Sequence, residues 1–62
     1  MTGKEVTTFR KEFGLTQEEM AELIGITRQA VILWETDQRL IPEPMVRLMK
    51  LFLKHPHLTE EF

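Results

Sequence analysis

Cysteine is absent from this chain, and so are serine, tyrosine and asparagine. The first absence excludes disulfides and thiolate metal sites. Together they remove most of the usual nucleophiles. His55 and His57 flank Pro56 near the C-terminus. Two potential ligands two residues apart, with no third His or Cys nearby, make a poor metal site. No acid, base and nucleophile constellation is visible, so neither catalysis nor a cofactor is expected. Long apolar runs are missing too: none approaches the roughly 20 residues that span a bilayer. The opening MTGKEVTTFRKEF is polar and charged, unlike a signal peptide. A soluble cytoplasmic protein with no membrane partner is the expectation.

Basic charge is also scarce: Lys and Arg number 8 against 10 Asp and Glu, a net charge of −2. That weighs against long-range attraction to nucleic acid, yet a local basic patch is compatible with it. At 62 residues the chain is one domain, residues 1–62, near the lower size limit for folding alone. Oligomerisation is one usual route by which such small folds gain stability.

What is there reads as helices. Val6, Phe9 and Phe13 fall at i, i+3 and i+7, one stripe of an amphipathic helix begun by Thr2 or Gly3. Gly14 stands where a left-handed cap ends it. In LTQEEMAELIG, Thr16 and Glu19 form the T-x-x-E capping box, and Gly25 ends a short second helix. Met20, Ala21, Leu23 and Ile24 give it an apolar face, while Glu18, Glu19 and Glu22 face water. Only Gly25, Ile26 and Thr27 precede the third helix, about Arg28 to Glu35, which matches a helix-turn-helix signature.

In the third helix Val31 and Trp34 point inward. Arg28, Gln29, Ile32 and Leu33 then share the outward face, an unusual surface for water. TDQRLIPEP follows as a loop, and Pro42 and Pro44 suit the first turn of a fourth helix, PMVRLMKLFLK. Arg47, Lys50 and Lys54 are its one charged stripe. The remaining circumference is apolar, wider than the arc of somewhat over 100° that a surface helix needs. Leu48 and Leu51 are assigned to the core. Met49, Phe52, Leu53, Leu58 and Phe62 are expected to form a homodimer interface, with Leu58 and Phe62 on a short fifth helix starting at Pro56. A methionine groove from Met20, Met45 and Met49 is weighed against ordinary core packing, and packing is preferred.

The run FGLTQEEMAELIGITRQAVILWE resembles the Cro/C1-type (XRE) helix-turn-helix family of phage repressors, small autoregulators and antitoxins. The resemblance covers about residues 6 to 53. It rests on L-T-Q-E-E-x-A at 15 to 21, Gly25, Thr27 four residues before Val31, and Trp34-Glu35. It implies an all-α, compact, four- to five-helix lambda-repressor-like domain whose second and third helices form the motif. It also implies that Arg10 pairs with Glu35 in a largely enclosed ion pair.

The resemblance further implies that the third helix enters the major groove of double-stranded DNA. Arg28 and Gln29 can then donate paired hydrogen bonds to guanine and adenine, and Ile32 and Leu33 can meet thymine methyls. The family commonly carries polar residues at Ile32 and Leu33, and one of the two is alternatively covered by the loop or the fourth helix. Gln17, Thr27, Thr36, Gln38 and Arg39 are expected at phosphates, Gln17 from a helix N-terminus. Asp37, where the family often has Gly, and Glu18 add negative charge along that path, so a shallow salt dependence is expected. The function implied is a homodimeric repressor, often of its own operon, in a prokaryotic or phage setting that includes toxin–antitoxin and anti-CRISPR operons. The rival is an antitoxin-type interaction module that masks a toxin or other protein partner, with DNA secondary.

Overall fold

Each helix starts and stops where the sequence supplies the chemistry for it. In the computed structural model, which describes residues 1–61, α1 spans Gly3–Glu12, α2 Gln17–Ile24, α3 Arg28–Glu35 and α4 Glu43–Lys54. A 3-10 helix, Pro56–Glu61, follows. Among the described residues there is no strand, and the domain is all-α.

Thr2 and Thr16 each accept the amide N–H three residues on, while Glu5 and Glu19 accept the cap residue's own N–H in return. These reciprocal boxes satisfy donors that a helix start leaves free. The same bonds hold both carboxyls below their ordinary value. The largest cause is the backbone N–H of Thr2 for Glu5 and of Thr16 for Glu19. Thr27 caps α3 with its hydroxyl, which accepts from the Ala30 N–H at 3.2 Å. At the start of α4, Pro42 is the cap and Pro44 lies in the first turn, where a missing N–H forfeits no helical bond.

Periodicity then assembles the core. Val6 and Phe9 from α1, Met20 and Ala21 from α2, Val31 and Trp34 from α3, and Met49 and Phe52 from α4 form one buried cluster. Burying each of the larger side chains contributes roughly 1.5–3 kcal/mol. Phe9 touches Phe13, ring centroids 5.0 Å apart, and stacks on Phe52 at 6.5 Å, which joins α1 to α4. The Trp34 indole N–H is buried without an acceptor among the described residues, a cost of about 1–3 kcal/mol.

Helix α4 overturns two of the interface expectations. Met49 and Phe52 are both 0% exposed and belong to the monomer's own core. With Val46 they recur every three residues on the side away from Arg47, Lys50 and Lys54, and the Phe9 ring of α1 stacks on Phe52. Leu51, expected inside, is 42% exposed. It lies one turn from both Arg47 and Lys54, on the charged side. Leu53 is also exposed, whereas Leu48 and Leu58 are half-buried against the core. The expectation for Phe62 lies outside the described residues.

His55 and His57 are exposed, and among the described residues no group of three His, Cys, Asp or Glu side chains could hold a metal. Among the same residues no helix is long and apolar enough to cross a membrane.

Candidate nucleic-acid interface

The turn between α2 and α3 decides which face of α3 is free. Gly25 adopts φ 85°, and its N–H and that of Ile26 both bond the Ala21 carbonyl at 2.9 Å. A side chain at Gly25 would be strained in that left-handed conformation, so glycine lets the chain reverse within three residues. Helix α3 then packs on α2, where Ala21 is only 4% exposed. Val31 and Trp34 are buried, which fixes the inner side of α3.

On the outer side, Arg28 and Gln29 are exposed, while Ile32 and Leu33 are half-buried. Residues four apart share a helix face. Arg28 therefore lines up with Ile32, and Gln29 with Leu33, in two adjacent strips. Neither Ile32 nor Leu33 is among the partly buried residues packed against the core. Among the described residues, no hydrogen bond or ion pair occupies the side chain of Arg28 or Gln29. The face thus offers unengaged donors beside half-buried aliphatic groups.

A polar network holds the far end of α3. Arg10 Nε donates to Glu35 Oε2 at 2.7 Å, with side chains 17% and 8% exposed. Arg10 also donates to the Leu15 carbonyl at 3.0 Å, through Nη1, and to Glu35 Oε1 at 3.5 Å. Gln17 Nε2 donates to Glu35 Oε1 at 3.0 Å, so its amide nitrogen is turned inward toward the ion pair. What α2 presents outward at its start is backbone: the N–H groups of Gln17 and Glu18 carry no acceptor among the described residues.

A model of the helix-turn-helix family matches residues 7–54, from within α1 to the end of α4. The chain belongs to that family, in its Cro/C1-type branch. It is also similar to an uncharacterised HTH-type transcriptional regulator of Methanothermobacter thermautotrophicus, at 65% identity over 26 residues. That match covers 42% of this chain and 38% of the relative, so the chain spans well under half of the protein it resembles.

The remaining polar positions of this helix-turn-helix chain are distributed around α3. The Thr27 hydroxyl is exposed but already accepts from Ala30. Thr36 donates to the Ile32 carbonyl at 2.8 Å and accepts from Gln38 Nε2 at 3.0 Å, which ties the loop to the helix end. Arg39 is exposed, without a salt bridge among the described residues.

Two contacts at the α1–α3 junction have no counterpart in the sequence-based expectations. Among the described residues Asp37 is the one non-glycine with positive φ, 58°. Its Oδ1 accepts the Gly3 N–H at 2.8 Å. The carboxylate therefore faces the positive end of α1 rather than standing as a free charge in the loop. Gly3 is itself buried, and a Cβ there would overlap the carbonyl oxygens of Trp34 and Glu35. An Asp two residues past a helix end was the available signal, since Asp tolerates the left-handed region better than most residues.

Proposed function

We propose that this chain is a sequence-specific DNA-binding transcriptional regulator, a homodimeric repressor acting on a pseudo-palindromic operator. The observation that carries this reading is the outer face of α3, with Arg28 and Gln29 exposed and unengaged above a buried inner face. Laid in the major groove, Arg28 reads guanine O6 and N7, and Gln29 reads adenine N6 and N7. Backbone N–H groups at the start of α2, with Thr27, Thr36, Gln38 and Arg39, meet the flanking phosphates. So few cations give a shallow dependence of affinity on salt.

One such module buries roughly 600–1,000 Å² on DNA, which favours pairing two copies on one site. The dimer contact is assigned to Leu53, which is exposed, and Leu58, which is half-buried. The setting is the cytoplasm of a prokaryote, with the gene chromosomal or phage-borne, and an operator upstream of its own gene is the first to test.

Selection from a random duplex pool tests the reading. The wild-type chain is expected to enrich one palindromic sequence, and Arg28→Ala to lose preference at one position of each half-site, about 1–3 kcal/mol of discrimination. Failure to enrich any sequence overturns it. Leu40, 92% exposed in the loop after α3, favours a second reading in which a toxin or other partner protein is masked. Under that reading, substitution of Arg28 and Gln29 leaves partner binding intact.

A further inference from the structure

We infer that the groove between α1 and the end of α4 is the seat of a second copy of this chain, whose α4 inserts Leu51 between the carboxylates of Glu5 and Glu12. The inference rests on the homodimer reading above and deepens it by naming the two complementary surfaces.

One surface is a cavity of about 310 Å³ lined by Met1, Glu5, Thr8, Phe9, Glu12 and Leu53. Its walls are apolar at Met1, Phe9 and Leu53, and Leu53 is 43% exposed. Glu5 and Glu12 are both exposed on the rim. Glu5 also serves the Thr2 cap, while among the described residues no hydrogen bond or ion pair engages Glu12. Apolar walls between two carboxylates suit a ridge that is aliphatic in the middle and cationic at each end.

Helix α4 carries such a ridge. Leu51 is 42% exposed and stands four residues after Arg47 and three before Lys54, both of them exposed. Glu5, Phe9 and Glu12 follow the same i, i+4, i+7 spacing along α1. Seven residues of helix advance about 10.5 Å, so the two cations and the two carboxylates are spaced alike. With the helices parallel, Arg47 of one copy meets Glu5 of the other, Lys54 meets Glu12, and Leu51 enters the cavity over Phe9. Because α4 supplies the ridge and, through Leu53, one wall of the groove, the contact repeats about a two-fold axis.

The seat leaves α3 uncovered. Gly3 lies against the Trp34 and Glu35 carbonyls. Glu12, nine residues on, is half a turn around α1 from Gly3 at about 100° per residue. A copy seated beside Glu12 therefore occupies the flank of α1 away from α3, and both α3 faces stay open to a two-part site.

Sedimentation of the full chain at micromolar concentration is the test. The wild type is expected to dimerise, and to do so less tightly as salt is added. Leu51→Ala, Glu12→Lys and Lys54→Glu should each weaken dimerisation by about tenfold or more, since every change counts twice in a symmetric dimer. Glu12→Lys combined with Lys54→Glu re-forms the pair with its charges exchanged and should restore association. All three positions are exposed, so urea unfolding of the diluted monomer should be unchanged. The inference is overturned if a wild-type dimer survives Leu51→Ala and Glu12→Lys, or if the charge exchange restores nothing. In either case the homodimer reading stands on another surface. A wild type that stays monomeric overturns the seat and the homodimer reading together, while selection from a duplex pool judges DNA binding separately.

Discussion

Removing the guanidinium of Arg10 is the sharpest perturbation available to this fold. Arg10 makes three hydrogen bonds, two to Glu35 and one to the Leu15 carbonyl, and Glu35 is 8% exposed on its side chain. Arg10→Ala leaves that carboxylate with Gln17 as its one remaining donor among the described residues. Breaking a buried pair from one side costs about 3–5 kcal/mol. Because the Arg10 side chain is 17% exposed, water recovers part of this, and the lower end, about 3 kcal/mol, is expected.

A domain of this size holds roughly 0.05–0.15 kcal/mol of stability per residue, so that loss is a third or more of the total. It corresponds to a fall in Tm of about 12–24 °C, at about 4–8 °C per kcal/mol for small domains. Trp34 is the single tryptophan and is buried next to Glu35, so its fluorescence during urea or thermal unfolding reports the transition. Glu35→Gln in the Arg10→Ala background removes the stranded charge and is expected to recover part of the loss. The exposed pair Arg47–Glu43, 3.6 Å apart with side chains 80% and 69% exposed, is the internal control. Arg47→Ala there should cost under about 1 kcal/mol. An Arg10→Ala effect no larger than that of Arg47→Ala refutes the reasoning.

Gly3→Ala drives a methyl into the Trp34 and Glu35 carbonyls and is expected to cost about 1–3 kcal/mol or more by urea unfolding. Glu5 and Glu19 have folded pKa values lowered from 4.5 by the caps that hold them. The stability they add is fully present above 4.5 and is lost as pH falls through the lower folded values, because the unfolded state takes up protons first. Glu5→Gln with Glu19→Gln should therefore flatten the acid limb of a Tm–pH profile. Leu53→Asp should abolish self-association in sedimentation at unchanged monomer stability, while Met49→Ala should cost about 2–5 kcal/mol of stability.

Much of the architecture was legible because it rests on local chemistry. Thr16 with Glu19, Gly25 and the prolines before α4 mark helix ends through bonds that form within a few residues. The outward face of α3 was legible for the same reason, since Val31 and Trp34 set its phase. Helix α4 resisted, being apolar on most sides: composition alone does not say which side will face the core. Leu51 was nonetheless readable as outward from its register with Arg47 and Lys54. The inward turn of Gln17 and the Asp37–Gly3 bond were not, because each joins residues far apart in sequence whose approach depends on the finished fold.

The fastening of α1 to the last turn of α3 limits how new specificities can arise on this scaffold. Gly3 lies against the Trp34 and Glu35 carbonyls, Asp37 reaches back to Gly3, and Arg10 holds Glu35 from the same helix. Tilting α3 would dislodge α1 at every one of these points. Exchanging Arg28, Gln29, Ile32 or Leu33 disturbs none of them. Under the proposed function, target choice is then altered through these four positions on an otherwise stationary frame.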